Sequence, residues 1–143
     1  MERYELKNDV KTICVNARSF PAGIREAFTQ LEKAIPAVAE RVFYGISKKD
    51  EKNNILYKAA VSEKFDGEAK KYGFENFVIL KGLYLVEMVK DWRKDPMSIG
   101  SSFDKLLSDP LLDESFPCIE CYDNMDEVVC MVKLDPTKLE FNF

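Results

Sequence analysis

Apolar positions recur along the chain at two periods. In "FPAGIREAFTQLEKAI" the residues Ile24, Ala27, Phe28, Leu31 and Ile35 fall at helical spacing and share one face. That spacing predicts a helix, with Pro21 just ahead of it as a start signal. Later, "DPMSIGSSFDKLLSDPLL" repeats the design, with Asp95 as the expected N-cap, Pro96 in the first turn, and Ile99, Phe103, Leu106 and Leu107 as the apolar stripe. Both helices carry Ile-x-x-x-Phe-x-x-Leu. The pairs Ile24/Ile99, Phe28/Phe103 and Leu31/Leu106 are each separated by 75 positions.

Around each helix the period changes to that of strands. An extended apolar stretch precedes each one, "VKTICVNA" in the first half and "FVILKGLYLVEMV" in the second. Two short strands around a polar turn follow: "RVFYGIS" and "ILYKAAV" about "KKDEKNN", then "PCIECY" and "VVCMVKL" about "DNMDE". The charged stretch "SEKFDGEAKKYG" lies between the halves. The expected fold is therefore α+β, with tandem duplicated β-α-β-β units at about residues 5–61 and 74–134, a linker at 62–73 and a tail at 135–143. Two such units, neither able to bury both a helix and a sheet face alone, are expected to pack about a pseudo-twofold axis. A central cleft along that axis is the expected ligand site.

Composition narrows the function. At 143 residues, with 46% apolar and 32% charged residues of mixed sign, the chain fits one globular domain. A net charge of −4 gives no basic field for phosphates, so direct nucleic-acid binding is not expected. No apolar run approaches the roughly 20 residues of a membrane span, and "MERYELKNDVK" lacks the apolar core of a signal peptide, so a cytoplasmic protein without membrane partners is expected. There is no histidine. Ser-His and Cys-His nucleophile arrangements are thereby excluded, and with them the commonest metal ligand.

The segment "FPCIECYDN" carries the candidate chemistry. Its Cys118-x-x-Cys121 spacing suits zinc or redox work in principle. On a strand, however, Cys118, Glu120 and Tyr122 share one face while Ile119 and Cys121 share the other, so the two thiols point apart. No metal site and no cofactor is expected. Glu120 becomes the informative residue: a carboxylate in an apolar cleft costs several kcal/mol in desolvation unless a cation or a donor meets it. Nearby aromatic faces add cation–π attraction of about 0.5 to 2 kcal/mol each. The candidates for those faces are Tyr44, Tyr57, Tyr84, Trp92 and Tyr122, with Phe43 and Met88 as lining. "KKDEKNN", "EAKK" and "DNMDE" read as solvated turns and linker.

The order of these segments, together with Gly82-x-Tyr84 and Glu120-x-Tyr122, resembles the gyrase-inhibitor-like effector-binding domain over about residues 5–134. That family includes the ligand domains of AraC-type and MerR-type multidrug transcription regulators, and also stand-alone proteins. The resemblance implies a cleft that binds bulky aromatic cations, with the strand carboxylate as counter-charge. No helix-turn-helix pattern accompanies the domain, so the expectation is a stand-alone, non-catalytic small-molecule binding protein, with a separate regulator protein as a further partner. The alternative is a hydrolase of electrophilic cyclopropane-type compounds in the same cleft, with Glu120 and Tyr84 in the catalytic roles.

Overall fold

The computed structural model describes residues 1–124 and 126–139; the last part of the expected tail, residues 140–143, and Met125 of the "DNMDE" turn lie outside them. The fold is α+β, with eight strands among the described residues: β1 (Glu2–Leu6), β2 (Val10–Asn16), β3 (Phe43–Lys49), β4 (Ile55–Ser62), β5 (Glu75–Ile79), β6 (Gly82–Lys90), β7 (Cys118–Tyr122) and β8 (Glu127–Lys133). The helices are α1 (Ile24–Ala34), α2 (Glu68–Lys71), α3 (Met97–Leu106) and α4 (Pro136–Leu139), with a 3-10 turn at Val38–Glu40. None of these is long and apolar enough to cross a membrane. The chain forms two compact units, one of Asp9–Ile79 and one of Met1–Asn8 with the chain from Leu80 onward.

In the unit of Asp9–Ile79, β3, β4, β2 and β5 pair in that order, all antiparallel. The predicted stripe on α1 does what its spacing requires: Ala27, Leu31 and Ile35 are buried against Ile13, Tyr57, Ala59 and Val61 of the sheet, with Ile24 and Phe28 at the margin. The stretch expected to be a solvated linker has structure of its own. Within "EAKK" the Glu68 side chain is buried, because Arg41 meets it with two hydrogen bonds of 2.6 Å, Nη1 to Oε1 and Nη2 to Oε2. Both side chains are 2% exposed. Nη1 also donates to the Ser62 carbonyl and Nη2 to that of Pro36, while Glu68 Oε1 accepts the Lys64 amide. A buried carboxylate needs such a set of donors.

In the other unit the order is β1, β6, β8, β7, again antiparallel. Phe103 and Leu106 of α3 pack against Leu85, Val128, Cys130 and Val132, with Ile99 beside them. The expected Asp95 side-chain cap does not form. Pro96 occupies the N-cap position without a side-chain bond, and Asp95 instead offers its carbonyl to the amide and hydroxyl of Ser98. The stretch "FVILKGLYLVEMV" is two strands rather than one. It breaks after Ile79, where β5 turns back to β2, and resumes at Gly82, whose φ of +143° favours glycine.

Candidate functional site

Glu120 sits in the middle of β7, across from Cys130 of β8. Cys130 in turn lies across from Glu87 of β6, so Glu87, Cys130 and Glu120 form one cross-strand row on the face covered by α3. Glu120 is 8% exposed. Its Oε1 accepts a hydrogen bond of 2.6 Å from the Tyr122 hydroxyl, which places the two side chains on the same face of β7 as alternation demands. At the far end of the row, Glu87 meets Lys105 of α3 at 3.1 Å, and that ammonium holds its carboxyl below the usual carboxylate range.

Tyr122 also meets Trp92, ring centroid to ring centroid at 5.3 Å and edge to face. The turn after β6 carries Trp92 there: Asp91 adopts φ +53°, its amide donates to the Asp126 carbonyl, and its own carbonyl accepts the Lys94 amide. The indole Nε1 is buried and has no hydrogen-bond partner among the described residues. Arg93 stacks its guanidinium over the same ring at 5.3 Å. This gives a carboxylate, the tyrosine hydroxyl bonded to it and two aromatic rings within a single unit, one of them already carrying the Arg93 guanidinium. Such a set is competent to hold a cation against π surfaces.

The thiols take another part. Cys118 packs into the α3 cluster, whereas Cys121 pairs with Val129 across β8, on the opposite face from Glu120. Burial pushes the Cys130 thiol up to about 12, and the carboxylates of Glu120 and Glu87 add to the effect against an opposing contribution from Ser102. Burial likewise raises Cys121 to about 11. Protonated thiols of this kind are poor nucleophiles and poor ligands. Among the described residues no group of three or more His, Cys, Asp or Glu side chains is placed to hold a metal ion.

Tyr84 and Met88 lie elsewhere. They pair with Lys133 and Val129 of β8 and so belong to the face of β6 that turns away from α3. Met88 is exposed, and Tyr84 is buried with its hydroxyl donating to the Leu80 carbonyl at 2.6 Å. In the unit of Asp9–Ile79, Phe43 and Tyr57 join Phe28 in an aromatic group on the α1 face, with Phe28 stacked on Phe43 at 5.9 Å and edge-on to Tyr57 at 6.4 Å. Tyr44 pairs with Ala60 on the reverse face. The 75-position offset places Gly45, next to Tyr44, at the counterpart of Glu120. The sequence reading missed Glu87, whose signal was its place two residues beyond Leu85 on the α3-facing side of an apolar strand.

No family model matches the chain, and no curated protein matches it in sequence. Solved structures do match its fold. An integron cassette protein from the mobile metagenome of Vibrio cholerae superposes with a TM-score of 0.67 at 11% identity, covering 94% of this chain and 95% of the other. The protein SAV2435, solved bound to tetraphenylphosphonium, gives a TM-score of 0.63 at 9% identity over 99% and 97%. A hydrolase from Listeria innocua gives 0.52 at 6% over 94% and 90%. At these identities the likeness is one of fold.

Proposed function

We propose that the chain is a small-molecule binding protein of the gyrase-inhibitor-like effector-binding class, and that bulky aromatic cations bind at Glu120. The observation that carries this reading is the nearly buried Glu120 carboxylate, hydrogen-bonded to Tyr122 beside the Tyr122–Trp92 ring pair. A desolvated carboxylate flanked by π faces attracts a large, weakly hydrated cation more than a small, strongly hydrated one. The fold likeness to SAV2435, whose structure holds tetraphenylphosphonium, supports the same ligand class. On this reading the two units are a duplication, since the triplets Ile24, Phe28, Leu31 and Ile99, Phe103, Leu106 each pack on the sheet of their own unit.

The site on this proposal comprises Glu120, Tyr122 and Trp92, with Tyr84 and Met88 outside it. A hydrolytic role has one point in its favour, the fold likeness to the Listeria innocua hydrolase. It would rest on Glu120 and Tyr122, because Tyr84 is on the other face with its hydroxyl engaged. Trp92 is the sole tryptophan and serves as the reporter. Rhodamine-like and quaternary dyes are expected to quench its fluorescence saturably, and neutral analogues of equal size to do so far less. A flat response across a cationic panel would sink the proposal, whereas turnover of an electrophilic cyclopropane that is lost in Glu120→Gln would favour the hydrolase.

A further inference from the structure

A buried ammonium marks the opposite face of the β1-β6-β8-β7 sheet. Lys133, the last residue of β8, is 8% exposed and lies across from Tyr84, on the side turned away from α3. Its Nζ makes one hydrogen bond, of 3.5 Å, to the Leu134 carbonyl. That is beyond the usual 2.7–3.2 Å range for such bonds. Among the described residues no carboxylate comes within ion-pair distance of it. Asp135 senses the Lys133 charge, but its Oδ1 accepts both the amide and the hydroxyl of Thr137, and those bonds are the main reason its carboxyl lies below the usual range.

An ammonium carries three donors, and buried charges in proteins are normally matched by an opposite charge, because an unpaired ion out of water is costly. Among the described residues, two of the Lys133 donors and its charge are unmatched. Gly82 stands beside the lysine on β6, and a Cβ there would sit 3.5 Å from both Cε and Nζ. Tyr84, the cross-strand neighbour of the lysine, is edge-on to Phe116 at 6.3 Å.

We propose that Lys133 is an oxyanion site, taking the carboxylate or phosphate group of a small molecule on the sheet face opposite Glu120. An oxyanion offers two or three acceptor oxygens to the donors that Leu134 does not fill, and it neutralises the ammonium. The site does not rest on the cation reading, since the two charges face opposite sides of the sheet.

The test is thermal unfolding of the full chain in chloride, benzoate or inorganic phosphate at matched ionic strength, for wild type, Lys133→Met and Glu120→Gln. Methionine keeps an apolar stem of similar length and removes the charge. A saturable rise in wild-type midpoint with benzoate, with phosphate or with both, retained in Glu120→Gln and lost in Lys133→Met, supports the site and tells carboxylates from phosphates. No rise above chloride, or a rise that survives Lys133→Met, overturns it. Should Lys133→Met not fold, amide NMR of the wild type decides: saturable shifts centred on Gly82, Leu83 and Leu134 during either titration support the site, and their absence overturns it.

Discussion

Replacing Glu68 by Gln tests how much of the Asp9–Ile79 unit rests on its buried ion pair. The substitution keeps the shape of the side chain and removes its charge. It leaves the Arg41 guanidinium, 2% exposed at its side chain, with one amide oxygen and the Ser62 and Pro36 carbonyls but no counter-charge, and sets an NH2 donor against one of its own N–H groups. Removing one partner of a buried pair costs about 3–5 kcal/mol, since the other charge stays desolvated. A chain of this length shifts its unfolding midpoint by roughly 3 °C per kcal/mol, so a fall of about 10–15 °C is expected in a thermal scan followed by circular dichroism. The pH dependence has a definite sign. Arg41 holds the Glu68 carboxyl below its usual value of 4.5 against the effect of burial. A carboxyl lowered by folding contributes stability that is present above 4.5 and is lost as pH falls through its lower folded value. Wild type therefore loses stability in acid more steeply than Glu68→Gln. A paired change to Arg41→Met with Glu68→Leu should recover much of the loss, because an apolar pair leaves no orphaned charge. A Glu68→Gln midpoint within about 3 °C of wild type, or an acid limb of equal slope, would refute this reasoning.

Leu31→Ala and Leu106→Ala each remove a fully buried side chain from the cluster of its own unit, and each should cost about 2–5 kcal/mol in denaturant unfolding. Cys121 and Cys130, raised to about 11 and about 12, should not react with a thiol reagent on the native protein at pH 7.5, and should react within seconds once unfolded. Fast native-state labelling of either, mapped by mass spectrometry, would show that the β7–β8 pair opens readily.

The elements that hold the core were legible in the sequence because burial imposes a period. α1 and α3 were readable from Ile24, Phe28, Leu31 and Ile99, Phe103, Leu106, and the strands beneath them from their apolar runs, although β5 and β6 read as a single stretch. β1 was not: "ERYEL" is mostly charged, it pairs along one edge of β6, and nearly all of it is exposed, so no apolar pattern marks it. α2 was hidden for a different reason. The burial of Glu68 is set by Arg41, 27 positions earlier, and no local pattern carries such a contact. In the candidate site, strand alternation placed Glu120 with Tyr122 and separated Cys118 from Cys121. It did not place Tyr84, because which face of β6 meets α3 depends on the register with β8.

The central claim is that Glu120 meets a cation, and the direct measurement is calorimetric titration of tetraphenylphosphonium into wild type and Glu120→Gln. A charged contact of about 1.5–3 kcal/mol corresponds to roughly a 10- to 100-fold change in Kd. Saturable binding to the wild type, weakened to that extent in Glu120→Gln while the neutral triphenylphosphine oxide binds both proteins equally, is the predicted result. Equal affinity of the cation for the two proteins, or no binding to the wild type, would contradict it.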